Sequence, residues 1–503
     1  MKWNTLEHNG PIFPKEYEYI GFDKSLSPLA EEMLYHYSAR LETDYVHNAT
    51  FNKNFWAALK LELQGQYSSL EDCLPLCKKI FTYIQENKQK TPEQKLKEAK
   101  QKTELKEKYG TAILNGKEQP IASPMIEPPG ILTTRGENPR LGAWKYRTVP
   151  EDVSINASNK VAPPEGHTWK ECKENKDSFE LCKYKVVTSY GVELNKRILF
   201  SATSSVKQSS DKKKFEKAIK LIENWEELSQ HIQNNLNSNS PTTKQSALVT
   251  WLIMNLGIRV GDEKGEDSAD TVGASSLRRE HISLSGDTLK LNFLGKDSVS
   301  YVNSIKMPEE VAQQFSILTS EKKHGEMLFP DISSGHIKDF ISSIVSGISA
   351  KVFRTAWGSS LFSEGLKTSK IKPTMSNNEK IACFNEANLT VAKKLNHQRN
   401  VGKNFESKLE EMKTKLDNMS SNYTLIEKDI KSQVRKLKQK IKDVDDKNFT
   451  EKEKAVLRKS YKEKIGRLNL RLKKKLQQVE GFKLKMDLNE KTKNIAMGTS
   501  KTA

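Results

Sequence analysis

Four side chains have the types and sequence settings that phosphoryl transfer on a polyanionic backbone would use: Arg259, Lys296, Arg354 and His397. Displacement at a phosphodiester spreads extra negative charge over its non-bridging oxygens. Guanidinium groups answer that charge because their fork spans two oxygens and stays charged. The leaving 5′-oxygen also needs a proton, which a partly desolvated lysine supplies. A single Arg, Lys or His near a helix end is ordinarily a surface or capping group, so the settings matter. Arg259 follows an apolar run and opens the polar loop Val260-Gly261-Asp262-Glu263-Lys264. Arg354 and His397 are each expected to end a buried helix, a rigid support from which a side chain is aimed.

The elements that must carry these residues are legible in the apolar pattern. Ala247 to Leu256 is apolar enough for a buried helix. Leu289, Leu291 and Phe293 alternate with polar residues, Gly295-Lys296-Asp297-Ser298 turns, and Val299 and Tyr301 alternate again, which predicts a β-hairpin with Lys296 at its tip. Ile337, Phe340, Ile341, Ile344, Ile348 and Val352 recur at helical spacing and lead into Arg354. A helix over about Glu379 to Leu395 delivers Asn396-His397-Gln398-Arg399.

Earlier in the chain, Thr91 with Gln94 reads as a capping box and Pro92 suits the first helical position, so a long polar helix runs toward Tyr109. Ile126-Glu127-Pro128-Pro129-Gly130 reads as a rigid turn, Thr134 to Arg140 as a basic loop, and the Ser/Lys-rich stretch from Ser201 to Lys214 as a lobe boundary. Further on, Leu409, Met412, Leu416, Met419, Tyr423, Ile426, Ile430, Val434, Leu437, Ile441 and Val444 step by threes and fours. After an interruption, Thr450 and Glu453 cap a second seam through Leu457, Tyr461, Ile465, Leu468, Leu472, Leu476 and Val479. Two such helices joined by a short turn predict an antiparallel coiled-coil hairpin; a generic dimerising coiled coil is the alternative.

Composition agrees with a large chain that meets a polyanion. Its 503 residues exceed one compact domain, and 83 Lys+Arg against 64 Asp+Glu give a net charge of +19. Such charge favours nucleic acid through counterion release; a merely soluble Lys-rich surface is the plainer reading. Five cysteines without regular spacing argue against a disulfide framework, and Cys73 with Cys77 suit buried thiols rather than a zinc site. No apolar run approaches the ~18 residues of a membrane span, and Met1 opens no signal-peptide pattern.

The motifs around these residues, taken together, resemble those of the eukaryotic type IB DNA topoisomerases. The matching segments are Ile258 to Lys264, Asp267 to Arg278, Phe293 to Ser298, Ala350 to Thr355 and Asn396 to Arg399, with Leu6 to Pro11 and Glu127 to Gly130 earlier, in the family's order. The likeness runs from near Trp3 to Lys501 and implies a mixed α/β, multidomain fold. That fold is a two-lobed DNA clamp: a mainly α-helical catalytic lobe with a small antiparallel sheet, plus an antiparallel coiled-coil hairpin linker. Residues 1–204 would be the DNA-binding cap lobe with protruding charged helices, 205–400 the catalytic core lobe, 401–490 the linker, and 491–503 the start of a tyrosine-bearing domain.

The resemblance implies roles as well. Arg259, Arg354 and His397 would stabilise the pentavalent phosphate, and Lys296 would enter the minor groove as general acid. Arg135, Arg140 and Asp297 would join the DNA surface, Asp297 near where camptothecin-type poisons bind. The activity would be relaxation of supercoiled DNA by transient nicking of one strand through a 3′-phosphotyrosyl intermediate. It needs no ATP, metal or cofactor, and no Walker-type glycine loop is present. The partner would be double-stranded DNA, bound by a monomer in the nucleus with no membrane involved.

Departures from the family concern both ends. Gly498-Thr499-Ser500-Lys501 matches the segment before the family's nucleophile, which would fall just after Ala503, and none of the chain's other tyrosines has a matching setting. A fragmentary sequence, a small tyrosine-bearing subunit acting in trans, and a non-cutting DNA clamp are the competing explanations. Ala503 stands where the family carries asparagine, which predicts reduced camptothecin sensitivity in any full-length form. The family's long basic N-terminal tail has no counterpart before Trp3. A tyrosine recombinase, with similar Arg, Lys and His groups, is disfavoured by the ordered matches and the linker.

Overall fold

The computed structural model describes residues 2–262, 268–399, 401–402, 404–445 and 448–496. Its contacts group the chain into two compact units, 1–217 with 261–335, and 218–260 with 336–503.

The first unit opens with helices α1 (Pro28–Ser38), α2 (Ala49–Glu62) and α3 (Leu74–Glu86), which close over Leu34, Phe51, Phe55, Leu59 and Ile80. Cys73 and Cys77 lie in this core as free thiols, and burial pushes their pKa values up to about 12 and about 11. Helix α4 (Pro92–Tyr109) carries the expected Thr91–Gln94 capping box and buries no residue, so it is held by its cap and its polar periphery rather than by packing.

Short strands build the rest of this half. β1 (Leu6–Glu7), β2 (Thr111–Leu114) and β3 (Lys117–Pro120) form one antiparallel sheet, and β4 (Gly130–Ile131) pairs β5 (Trp144–Lys145). β6 (Ser154–Asn156), β7 (Glu171–Lys173), β8 (Glu180–Val187) and β9 (Glu193–Leu199) form a sheet of order β7-β6-β8-β9, in which only β6 and β7 run parallel. Trp3, Leu6, Ile126, Val153 and Val186 fill the core between these strands. No turn forms over residues 126–130, and Gly130 opens β4. The Glu127 carboxylate holds Lys145 at 2.7 Å and Lys196 at 2.5 Å.

Helix α5 (Ser205–Glu223) takes up most of the Ser/Lys-rich stretch, and the division between units falls inside it. α6 (Trp225–Asn235) and α7 (Pro241–Leu256) belong to the second unit. The chain then returns to the first with β10 (Ile282–Ser285), β11 (Thr288–Gly295), β12 (Val299–Lys306) and α8 (Glu309–Ser320). β10, β11 and β12 are antiparallel in chain order; Leu289, Leu291 and Phe293 point inward, and Phe293 stacks on its cross-strand partner Tyr301 at 5.0 Å.

In the second unit the single helix expected to lead into Arg354 is two. α9 (Ser334–Ser342) stops, Gly347 takes φ 78, and α10 (Ala350–Thr368) restarts after the extended Ser349. Arg354 therefore lies near the start of a helix, not at its end. α11 (Asn377–Lys394) begins at a Ser376–Glu379 capping box. α12 (Phe405–Asp443) and α13 (Glu451–Lys491) pack side by side in opposite directions. Arg458 pairs with Asp445 next to the turn, and Lys493 with Glu406 at the far end. The expected Thr450–Glu453 cap starts α13, and Leu409 and Ile430 are buried in the seam.

Candidate active site

Helix α7 is the post from which the site is built. Ser240 caps its first turn, Pro241 needs no donor there, and residues 246–254 are all buried. It ends at Gly257 in the left-handed region, φ 63, where a side chain would be strained and its Cβ would meet Leu395 at 3.2 Å. Ile258 is then buried and Arg259 emerges exposed.

Arg354 ties this end of α7 to the end of α11. Its Nη1 donates to the Gly257 carbonyl at 2.5 Å, and its Nη2 donates to the Leu395 carbonyl at 2.9 Å and to Nε2 of His397 at 3.2 Å. Guanidinium has no acceptor, so Nε2 is the unprotonated nitrogen and Nδ1 carries the proton. His397 follows Asn396, which takes the left-handed φ of 52, and its own N–H returns to the Ala392 carbonyl at 2.9 Å. Burial, then the Arg354 charge, then the Arg259 charge hold the imidazole below its ordinary pKa. Arg354 thus touches the His397 ring and the charge of Arg259 also reaches it, all three residues lying in the second unit.

Lys296, Asp297, Arg135 and Arg140 belong to the first unit. Lys296 is exposed at the tip of the β11–β12 hairpin, as expected, and Asp297 and Ser298 turn the chain with φ 62 and 55. The Ser298 hydroxyl donates to the Arg135 carbonyl at 3.2 Å, and a Cβ on Gly136 would overlap the Ser298 side chain. The Arg135 loop and the Lys296 tip are therefore in direct contact. Arg135 is exposed. Arg140 is half-buried at the loop's base, where Asn54 holds the flanking carbonyls of Pro139 and Leu141 at 2.6 and 2.8 Å.

A sequence model of the eukaryotic DNA topoisomerase I catalytic core matches residues 203–430, the stretch that contains Arg259, Lys296, Arg354 and His397. A second, for the eukaryotic DNA topoisomerase I DNA-binding fragment, matches residues 1–192. The chain belongs to the eukaryotic DNA topoisomerase I family. DNA topoisomerase 1 of Candidozyma auris is 33% identical over 82% of this chain, and that of Schizosaccharomyces pombe 34% over 82%. The Homo sapiens protein is 30% identical over 100% of it. The chain spans 58%, 52% and 66% of the lengths of these three relatives.

Two residues of this topoisomerase I family member, Trp357 and Lys394, escaped the sequence reading because nothing in their spacing marks them. Trp357 donates its indole N–H to the Met254 carbonyl at 2.7 Å, and Lys394 donates to Asn255 O at 3.0 Å while lying 4.4 Å from the Trp357 ring centre. Arg278 bridges Asp270 at 2.6 Å and Glu280 at 2.8 Å, bracing the motif segment after Ser268. Beyond α13, Ala496 N–H donates to the His397 carbonyl at 2.9 Å and Arg399 N–H to Asn494 O at 3.2 Å, so the chain passes beside the site on its way out. The Gly498–Lys501 match and Ala503 lie outside the described residues, as do residues 263–267, which include the last two residues of the polar loop.

Proposed function

We propose that this topoisomerase I family member relaxes supercoiled duplex DNA by cutting and resealing one strand, without ATP. The observation that carries the reading is the Arg354 guanidinium bonded to His397 while Arg259 acts on the same ring. In this mechanism a tyrosine oxygen attacks the phosphorus, releases its proton to water and forms a 3′-phosphotyrosyl bond. The P–O5′ bond breaks, and Lys296 gives the 5′-oxygen its proton. Religation runs the same steps backward. Arg259 and Arg354 meet the charge on the non-bridging oxygens, and the neutral imidazole, released from Arg354, takes the tautomer protonated at Nε2 and donates that N–H to the phosphate.

The cap, core and linker assignments over 1–204, 205–400 and 401–490 belong to this proposal, with the lobes closing on DNA as a monomeric clamp in the nucleus. The net charge of +19 fits phosphates met on all sides. The α12–α13 hairpin would brake rotation of the downstream duplex. The test is plasmid relaxation by the chain alone, by the chain mixed with a tyrosine-bearing C-terminal peptide, and by a form that carries that segment covalently. Relaxation when the tyrosine is supplied is expected. DNA binding without relaxation in every arm would mean a non-cleaving clamp and would overturn the proposal.

A further inference from the structure

We propose that Lys394 and Trp357 are positioning residues for Arg259, acting as a bracket on the last turn of α7. The inference rests on the function proposed above and goes beyond the four residues assigned there.

A helix C-terminus leaves its final carbonyls without intrahelical partners and carries partial negative charge. At α7 those carbonyls are met one after another from outside. Trp357 donates to Met254 O at 2.7 Å, Lys394 to Asn255 O at 3.0 Å, and Arg354 to Gly257 O at 2.5 Å. The lysine also lies on the Trp357 ring at 4.4 Å, so α10 and α11 grip the helix end as one piece. Lys394 is half-buried, an arrangement that a lysine serving only solubility has no reason to adopt.

The consequence falls on Arg259. Only Gly257 and the buried Ile258 separate it from the gripped turn, and a Cβ on Gly257 would come within 3.2 Å of Leu395 and 3.6 Å of Trp357, so a larger residue would crowd them. The direction in which Arg259 leaves the core is therefore set by how firmly residues 254–257 are held. Arg354 does this while also belonging to the reacting cluster; Lys394 and Trp357 do it alone.

Two experiments separate positioning from mere stabilisation. In the tyrosine-supplied enzyme, Trp357→Phe and Lys394→Met should each slow single-turnover cleavage by about 10- to 100-fold, as small displacements of a catalytic group do. DNA affinity should change less than about twofold, and Lys394→Arg should keep most of the rate. In an Arg259→Ala background the same changes should cost nothing further, since the group they aim is gone. The second experiment uses residues 1–503 as they are and needs no tyrosine: NMR titration of the His397 ring, assigned with His397→Gln. Trp357→Phe removes no charge, so a rise in the His397 pKa in the direction given by Arg259→Ala, absent when both changes are combined, would report that Arg259 has drifted from the ring. A lowered Tm with an unmoved His397 titration would overturn the proposal and leave a plain helix cap. Failure of the tyrosine-supplied enzyme without these substitutions to relax DNA would count against the proposed function alone, because the titration still decides about the bracket.

Discussion

The Arg354 guanidinium donates to Nε2 of His397 across 3.2 Å, and the same group holds the carbonyls of Gly257 and Leu395. One residue thus closes the ends of two helices and touches the imidazole. Its planar fork is what makes that possible, since several donors point in fixed directions at once.

Arg354→Lys should therefore behave as a severe change. An ammonium on a shorter reach cannot hold two carbonyls and a ring together. Charge-assisted hydrogen bonds contribute about 1.5–3 kcal/mol each, so a loss of at least one should lower the Tm measurably. Cleavage should fall by about 10²–10³-fold, the usual effect of removing one preorganised donor from a charge-stabilising site. Single-turnover cleavage together with calorimetry checks both.

The His397 pKa sets a pH dependence with a defined sign. Burial and two guanidiniums hold it below the ordinary value of 6.5. The unfolded chain takes up this proton as pH falls through about 6.5, and the folded chain resists it. The associated stability is complete above that pH and is lost as pH drops toward the folded value. The unfolding free energy of the protein minus that of His397→Gln should accordingly shrink between pH 7.5 and 5. Taking the difference removes the contributions of His8, His36, His231 and His281, which are also lowered.

Gly136→Ala probes the contact between the Arg135 loop and the Lys296 tip. The new methyl would collide with Ser298, and φ 66 disfavours any side chain there. Displacing the tip should slow cleavage of ordinary DNA by about tenfold or more. A substrate with sulfur in place of the 5′-bridging oxygen should recover most of that loss, because a thiolate leaves without a proton. Equal losses on both substrates would show that the tip does not serve leaving-group protonation.

Ile430→Ala tests the hairpin seam. Ile430 is 1% exposed on a helix that otherwise buries only Leu409, so its truncation should cost about 2–4 kcal/mol locally. Hydrogen exchange should rise along α12 and α13, while the cleavage rate stays within about twofold.

Legibility in the sequence followed how local the cause was. The hairpin at Lys296 was readable because strict alternation of Leu289, Leu291 and Phe293 has one interpretation on a half-buried strand. The caps at Thr91 and Thr450 were readable because a hydroxyl and a Gln or Glu three residues apart satisfy the same helix end. The break between α9 and α10 was hidden, because Ile341 to Val352 keeps helical spacing while Gly347 reverses the backbone. Strands of two or three residues, such as β4 and β5, carry too little pattern to announce themselves. Lys394 and Trp357 read as one more surface cation and one more core aromatic; their role depends on carbonyls more than a hundred positions away.

The most direct test of the central claim is a crystal structure of residues 1–503 bound to duplex DNA of about two turns. The account predicts the Arg259 and Arg354 guanidiniums and the His397 ring within about 3 Å of the non-bridging oxygens of one phosphate, with Lys296 at its 5′-bridging oxygen. Heads of these residues distributed over different phosphates, or Arg259 turned away from the Arg354–His397 pair, would contradict it.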